Sequence, residues 1–151
     1  DVYTEDGWLH TGDLGYWREN GTISLVGRMS DMFKSGGYNV YPREIEDTLE
    51  SHPVVEMAAV VGVPDQRYQE VGAAFVIVHD TTQVDVDTLR DYCKAQLANY
   101  KIPKTLHLVS ELPTLPVGKV DKVSLKKWAL ELQQRDQQKE KVCVKISTMQ
   151  K

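Results

Sequence analysis

A lysine in a proline-stiffened loop is the residue of this sequence best suited to chemistry. Lys119 follows Gly118 in the stretch LPTLPVGKVDK, between Pro113 and Pro116 on one side and a predicted helix on the other. Such a loop can present a long cationic side chain without disrupting a helix or a strand. The chemistry open to this lysine is electrostatic. The stretch is not a P-loop, because no glycine stands five positions before Gly118 and Val120 replaces the required Ser or Thr. A solvated surface lysine is the simpler alternative.

Asp13, Arg28 and the Gly36-Gly37 pair are the other candidates for binding. The two glycines let the backbone reverse, or let another molecule approach its peptide groups more closely than a Cβ would permit. A plain hairpin turn explains them equally well. Asp13 could cap a turn through its carboxylate, and Arg28 could form an ordinary surface ion pair. On the residues alone, these alternatives stay open.

The elements that must position these residues are strands and helices mixed around one small sheet. A hairpin is expected first, with strands at 8–10 and 22–26 around the turn signal Glu19-Asn20-Gly21. Pro42 suits the first turn of a helix. Further strands are predicted at 38–41, 54–63, 71–78 and 106–109, further helices from residue 86 and over 124–134, and a candidate edge strand at 142–146. This order indicates an α+β fold, a small mixed β-sheet with covering helices, rather than a parallel βαβ array.

Other titratable residues are assigned structural roles. Glu44, Glu46 and Asp47 lie in the first half of the predicted helix after Pro42, where the helix dipole and solvation explain them. The four histidines are scattered without metal-ligand spacing. Cys93 and Cys143 have no CxxC spacing, so the sequence predicts reduced thiols and no metal site.

Composition narrows the class of protein. The chain has 151 residues and a formal net charge of -4, which argues against a nucleic-acid or anionic-membrane surface. Its length suits one domain with flanks. No apolar run approaches the ~18 to 20 residues needed to span a bilayer, so we expect a cytoplasmic protein with at most peripheral membrane contact.

Four motifs in order along the chain resemble one superfamily. They are GWLHTGDLGYW at 7–17, GRMSDMFKSGGYNVYPREIE at 27–46, YKIPK at 100–104 and LPTLPVGKVDK at 112–122. This set is similar to the closing motifs of the adenylate-forming superfamily, and within it to AMP-forming acyl-CoA synthetases of the fatty-acyl-CoA ligase type. The chain starts at Asp1, a few residues before a motif that lies deep inside longer family members, so we expect a fragment.

The resemblance implies a role for each candidate. Lys119 matches the catalytic lysine of the first half-reaction, in which a carboxylate attacks the α-phosphorus of ATP and negative charge accumulates. Asp13 matches an aspartate that accepts hydrogen bonds from the ATP ribose hydroxyls, and Arg28 would face the nucleotide. Gly36 and Gly37 match glycines that line the pantetheine tunnel of the second half-reaction.

Two departures from the family pattern concern the hinge and a later glycine. The resemblance places a hinge at Ser30 and Asp31, but family members commonly carry Asp or Lys two residues after the arginine. This chain has Ser30 there, and Asp31 is expected to take over the polar contact. A glycine is also frequent before the position of Glu70, where this chain has Gln69.

The implied protein is a two-domain ligase. Residues 1–29, which include the first hairpin, would complete a large N-terminal adenylation domain. Residues 30–132 would form the small C-terminal domain. Residues 133–151 would be a polar tail and a candidate for disorder. ATP with Mg²⁺ and a carboxylic acid, with a fatty acid as the expected class, would be substrates, and CoA the acceptor. The isolated chain is expected to be inactive without its own N-terminal adenylation domain, and no nucleic-acid partner or tightly bound metal is expected.

Two alternatives stay open. The GKVDK string also resembles adenylation domains that load a carrier protein, although the GGYNVYPREIE string favours the CoA ligases. A stand-alone module that binds CoA or a partner without catalysis would keep the fold but not the reaction.

Overall fold

The structure, a computed structural model, describes residues 2–79 and 84–148, with side chains described up to Gln138. It confirms the predicted α+β class, since a small mixed sheet is combined with helices. The chain divides into two units, Asp1–Leu112 and Pro113–Lys151. The predicted domain boundary near residue 30 is a different division and stays a prediction.

An antiparallel hairpin precedes the sheet in the first unit. It pairs β1 (Asp13–Trp17) with β2 (Ile23–Arg28). The predicted turn is present, because Gly21 N–H donates to the Arg18 carbonyl at 3.0 Å and Gly21 has a φ of +79°. The second strand, predicted at 22–26, is confirmed by β2.

The prediction of the hairpin's first strand at 8–10 is wrong. That segment folds back on the N-terminal residues, with an isolated bridge between Leu9 and Tyr3. Gly7, at a φ of +83°, makes this reversal possible, and the Gly7 N–H donates to the Thr4 carbonyl at 3.0 Å. The strand that pairs with β2 is β1 instead.

A five-stranded sheet forms the centre of the first unit. Its strands are β3 (Phe33–Ser35), β4 (Tyr38–Val40), β5 (Val55–Asp65), β6 (Gln69–Val78) and β7 (Thr105–Leu108). Their order is β4-β3-β6-β5, and β7 pairs with β6 in parallel while all other pairs are antiparallel. The strands predicted at 38–41, 54–63, 71–78 and 106–109 are confirmed as β4, β5, β6 and β7. The long runs of β5 and β6 are rich in valine, which favours strands.

Two helices supply the apolar side chains that cover this sheet. They are α1 (Pro42–Glu50) and α2 (Val86–Gln96), and the Asp85 carboxylate caps α2 by accepting from Thr88 N–H at 2.8 Å. The fully buried residues of the core include Val40, Ile45, Leu49, Val60, Val76, Leu89 and Cys93. Burial raises the pKa of the Cys93 thiol to about 11, so this side chain packs as an apolar group.

The prediction that solvation explains the presence of Glu46 on α1 is wrong. Its side chain is only 5% exposed, and Glu46 Oε1 accepts a hydrogen bond from Val60 N–H of β5 at 2.9 Å. Glu44 differs, because it is partly exposed and pairs with Lys101 Nζ at 2.6 Å.

The second unit contains a hairpin loop and one long helix, α3 (Lys122–Thr148). The prediction that the last helix ends at residue 134 is wrong, because α3 continues beyond that residue. The edge strand predicted at 142–146 is also wrong, because those residues lie within α3. The Gln- and Lys-rich composition that suggested a tail also has good helix propensity. Within the described part of the chain, no helix has the length and apolar character to cross a membrane.

Candidate functional site

Asp13 and Arg28 meet across the first hairpin. They are paired residues in the β1–β2 register, and Arg28 Nε lies 3.5 Å from Asp13 Oδ1. Thr11 Oγ1 accepts from Asp13 N–H at 3.1 Å, which orients the start of β1. The two side chains are 35% and 61% exposed, respectively, so an ionised acceptor and a multidonor cation stand side by side at the surface. This geometry fits a surface ion pair, and it also leaves polar atoms of both residues accessible to a ligand.

Ser30 and Asp31 follow directly in a single 3-10 turn, Met29–Asp31. Ser30 Oγ donates to Asp31 Oδ1 at 3.1 Å. The residues on both sides are extended, with ψ of 141° at Arg28 and 137° at Met32. The predicted hinge is therefore one short helical turn between two extended residues, and this is a segment where a small change of dihedral angles would redirect the chain.

Gly36 and Gly37 form the two-residue turn between β3 and β4. Both have positive φ, +58° and +87°, as a type I′ hairpin turn requires. Gly36 N–H donates to the Tyr68 carbonyl at 2.8 Å, so the turn is tied to the β5–β6 loop. A Cβ on Gly36 would lie 3.4 Å from the Tyr68 ring, whereas a Cβ on Gly37 would meet no atom within 4 Å. The predicted turn is present, and Gly37 borders open space.

A groove of about 540 Å³ opens beside this turn. Its walls include Gly36, Tyr38, Tyr68, Tyr100 and Lys104. The rings of Tyr38 and Tyr100 stack at 4.6 Å, and Lys104 Nζ lies 5.7 Å from the centre of the Tyr68 ring. An aromatic wall with a nearby cation suits a ligand that has both planar and anionic groups. Sequence reasoning missed this groove because its residues come from segments that are distant along the chain.

Lys119 follows a three-residue hairpin loop in the second unit. Gly118 N–H donates to the Leu115 carbonyl at 2.8 Å, and Leu115 N–H donates to the Lys119 carbonyl at 2.7 Å. Thr114 and Val120 form an isolated bridge beside these bonds. Gly118 has a φ of +79°, as the last residue of such a loop commonly does. The Lys119 side chain is exposed, and the backbone that carries it is held by these hydrogen bonds.

Asp121 holds the other side of this segment and was missed in the sequence. Its Oδ1 accepts from the backbone N–H groups of Val123 and Ser124, at 3.1 and 3.2 Å, and its Oδ2 accepts from Ser124 Oγ at 2.6 Å. The Ser124 hydroxyl is the main cause that lowers the pKa of Asp121 below its ordinary value. An aspartate just before a helical pattern is the signal that could have identified this cap.

The candidate residues thus occupy four local arrangements, of which the 3-10 turn of Ser30 and Asp31 is one. Asp13 and Arg28 are in contact, the glycine turn borders a groove of the first unit, and Lys119 belongs to the second unit. Among the described side chains, no group of three or more His, Cys, Asp or Glu residues is placed to hold a metal ion.

Comparison with solved structures finds the same fold in adenylate-forming enzymes. A fatty acyl CoA synthetase from Mycobacterium tuberculosis superimposes with a TM-score of 0.70 at 38% identity, over 83% of this chain and 25% of that one. The amide bond synthetase McbA from Marinactinospora thermotolerans superimposes with a TM-score of 0.79 at 39% identity, over 84% and 26%.

Sequence comparison agrees. The chain is 48% identical over 107 residues to the 2-succinylbenzoate–CoA ligase of a Geobacillus species, which is 71% of this chain and 22% of that protein. It spans about a quarter of the length of the curated relatives it matches. The family model for the AMP-binding enzyme C-terminal domain matches residues 44–119, half of the chain. With the motifs, the mixed sheet and these similarities taken together, the chain belongs to the AMP-binding enzyme C-terminal domain family of adenylate-forming CoA ligases.

Proposed function

We propose that this chain is the C-terminal lid domain of an AMP-forming acyl-CoA synthetase. The whole protein would activate a carboxylic acid with ATP and Mg²⁺, releasing pyrophosphate and forming an acyl-adenylate. It would then transfer the acyl group to the thiol of CoA and release AMP. A lid of this kind completes a catalytic site on another domain and excludes water from it.

The observation that carries the proposal is the exposed Lys119 side chain beyond a hairpin loop whose backbone is held on both sides. A carboxylate and the phosphates of ATP are both anionic, so their approach concentrates negative charge. A cation that is already positioned offsets this charge without reorganisation at the moment of reaction. Removing one such contact typically costs about 10²-fold or more in rate, or roughly 3 kcal/mol.

Asp13 and Arg28 would contribute to the nucleotide site. An ionised carboxylate has two oxygens that can accept from the two ribose hydroxyls. The planar guanidinium of Arg28 would face the nucleotide beside it. Ser30 and Asp31 would be the pivot of the lid, because their single 3-10 turn lies between two extended residues.

Gly36 and Gly37 would line the entry of the acceptor thiol. The open space at Gly37 leaves room for a chain to pass, and the adjoining groove offers aromatic rings and a lysine to the rest of the acceptor. CoA has both an aromatic base and phosphates, which is the chemistry that such a groove suits.

For the acid, we propose a fatty acid as the first class to test, because the chain shares its fold with a fatty acyl CoA synthetase, and 2-succinylbenzoate as the second, because a ligase of that acid is 48% identical. The chemistry of the lid is the same for any carboxylate. We propose a cytoplasmic location, where ATP and CoA are both available.

The test compares Lys119→Ala with Lys127→Ala, an exposed lysine of α3, in the chain extended upstream in its own reading frame. Adenylate formation is measured by acid-dependent pyrophosphate exchange over a panel of acids, and transfer by thioester formation from supplied acyl-adenylate. We expect Lys119→Ala to lose about 10²-fold in the first assay only. Lys127→Ala should match the wild type in both.

Equal loss of both half-reactions in Lys119→Ala would contradict the assigned role. Wild-type transfer to carrier-protein pantetheine but not to CoA would support the adenylation-domain alternative. An inactive wild type that still binds CoA would support the stand-alone module.

A further inference from the structure

The carboxylate of Asp65 is fully engaged at the end of β5. Its Oδ1 accepts from the N–H groups of Arg67 and Tyr68, at 2.8 and 2.9 Å. Its Oδ2 accepts from Lys104 Nζ at 2.6 Å, across 39 positions of sequence. The side chain is only 10% exposed, so these donors, rather than water, satisfy it. Asp65 therefore links the β5–β6 loop to the segment that leads into β7.

Tyr68 connects Asp65 to the glycine turn through two backbone hydrogen bonds. Its N–H is held by Asp65, and its carbonyl accepts from Gly36 N–H at 2.8 Å. Beside this bond, β3 meets β6 in register at one pair, Ser35 with Gln69. The Tyr68 hydrogen bond is thus a principal tie between the glycine turn and the rest of the sheet.

Backbone preference does not hold this loop in place. Gln69, which follows Tyr68, has a φ of +73°, in the left-handed region that a residue with a Cβ rarely adopts. A strained residue persists only where its surroundings determine the conformation. Gln69 is held by its pairing with Asp65 on β5 and Ser35 on β3, and the three donors to the Asp65 carboxylate fix the loop before it.

Lys104 is fixed from its backbone as well. Its N–H donates to the Gly72 carbonyl at 2.8 Å, while its Nζ reaches Asp65 and lies near the Tyr68 ring. Tyr68 and Lys104 both line the groove beside Gly36, whereas Asp65 is not among the groove's lining residues.

We propose that Asp65 is a positioning residue for the acceptor site. It acts through Tyr68, which holds Gly36, and through Lys104, which forms part of the groove wall. The inference rests on the proposed function in one respect, that the Gly36-Gly37 turn receives the acceptor. Asp65 itself touches no substrate in this scheme.

Three variants separate its two contacts from a general effect on folding. Asp65→Ala removes both, while Asp65→Asn keeps an oxygen for the Arg67 and Tyr68 amides and loses the charge that binds Lys104. Asp91→Asn is the matched control, because Asp91 also pairs with a lysine, Lys94 at 2.7 Å, on the exposed face of α2.

The first measurement is amide hydrogen exchange in the 151-residue chain. In Asp65→Ala the Gly36 amide should exchange at least about tenfold faster, while the Val76 amide in the core stays close to the wild-type rate. Asp65→Asn should lie between, and Asp91→Asn should match the wild type. An unchanged Gly36 rate, or an equal acceleration at Gly36 and Val76, would overturn the inference.

The second measurement is thioester formation from supplied acyl-adenylate in the chain extended upstream, with free CoA as the varied substrate. Asp65→Ala should raise the KM for CoA about tenfold, which is the factor expected when a hydrogen bond to a charged group is lost. The change in kcat should be smaller, and adenylate formation should proceed at the wild-type rate. If the wild type turns over and Asp65→Ala matches Asp91→Asn, the inference alone fails. If the wild type makes the adenylate but transfers no acyl group to CoA, the acceptor role proposed for the turn is wrong. The inference about Asp65, which depends on that role, is then wrong as well.

Discussion

Glu46 Oε1 on α1 accepts a hydrogen bond at 2.9 Å from the backbone N–H of Val60 on β5. One helical turn later, Glu50 Oε1 accepts from Ala58 N–H at 3.2 Å. Two carboxylates four residues apart on the helix therefore bind alternate amides of β5, the last strand in the sheet order. Unpaired edge amides invite pairing with another chain, and here side chains occupy two of them.

Glu46→Ala should destabilise the fold, because it would leave Val60 N–H buried with its Glu46 acceptor removed. The expected loss in the free energy of unfolding is about 1–3 kcal/mol, measured by urea denaturation of the chain. Glu50→Ala is the control, since the Glu50 side chain is 28% exposed and water can replace it. A loss in Glu50→Ala as large as in Glu46→Ala would argue against burial as the cause.

Gly62→Ala should be more damaging than the same change at its cross-strand partner, Gly72. A Cβ on Gly62 would lie 2.5 Å from the Cβ of Phe33, which cannot move without its backbone. A Cβ on Gly72 would have its nearest neighbour at 3.5 Å, an ordinary contact. We expect a loss of about 1–3 kcal/mol or more for Gly62→Ala and clearly less for Gly72→Ala. Equal midpoints of thermal unfolding would contradict this packing.

Periodicity and composition predicted the sheet well and the first hairpin only in part. The apolar runs of β5 and β6 are long and bounded by turn residues, so their pattern decides the structure. The strand β1 was missed because it has only five residues and four of them are exposed, so burial imposes no alternation of apolar and polar residues on its sequence.

The site shows a similar division. The loop before Lys119 was predicted because its prolines and glycine act locally. The link from Asp65 through Tyr68 to Gly36 was not predicted, because two of its hydrogen bonds involve backbone groups of Tyr68, which leave no signal in residue types. The sequence marks Gln69 only as a departure from the family pattern, and its positive φ is a conformation that glycine adopts without strain.

Gln69→Gly should preserve or raise stability, although glycine normally weakens a strand. At a φ of +73° a Cβ costs on the order of 1 kcal/mol, and glycine removes that strain while adding entropy to the unfolded chain. Gln66→Gly, three residues earlier in the β5–β6 loop and without a positive φ, carries only the entropic penalty and should lower the midpoint of thermal unfolding. A larger loss for Gln69→Gly than for Gln66→Gly would show that the Gln69 side chain contributes more than its backbone costs.

If the proposed function holds, Gly37→Leu should separate adenylate formation from CoA transfer in the chain extended upstream in its own reading frame. Gly37 has a φ of +87° and borders open space, so a leucine there would fill the proposed path of the thiol while straining the turn by about 1 kcal/mol. Gly21→Leu is matched for strain, at a φ of +79° in another open hairpin turn. We expect at least tenfold slower CoA transfer with unchanged adenylation in Gly37→Leu alone. Normal thioester rates in this variant would refute the acceptor role.

The stability contributed by Asp65 should depend on pH in a defined direction. The hydrogen bond from Lys104, followed by those from the Tyr68 and Arg67 amides, lowers the pKa of Asp65 from 3.8 to about 2. Because the folded-state pKa is the lower one, the contribution is fully present above about pH 4 and is lost as the pH falls through about 2.

Urea denaturation of wild type and Asp65→Asn should therefore show a gap in the free energy of unfolding that narrows with acid. At pH 7 we expect the variant to be less stable by on the order of 1 kcal/mol, since the exposed Lys104 ammonium is screened by solvent and the full shift is not realised. The gap should shrink between about pH 4 and pH 2, because the wild-type carboxyl then gains its proton and becomes as uncharged as the amide. Asp91→Asn should show little gap at any pH, as expected for a solvent-exposed ion pair. A gap for Asp65→Asn that stays constant down to pH 2 would mean that the shape of the side chain, rather than its ionised state, holds the β5–β6 loop.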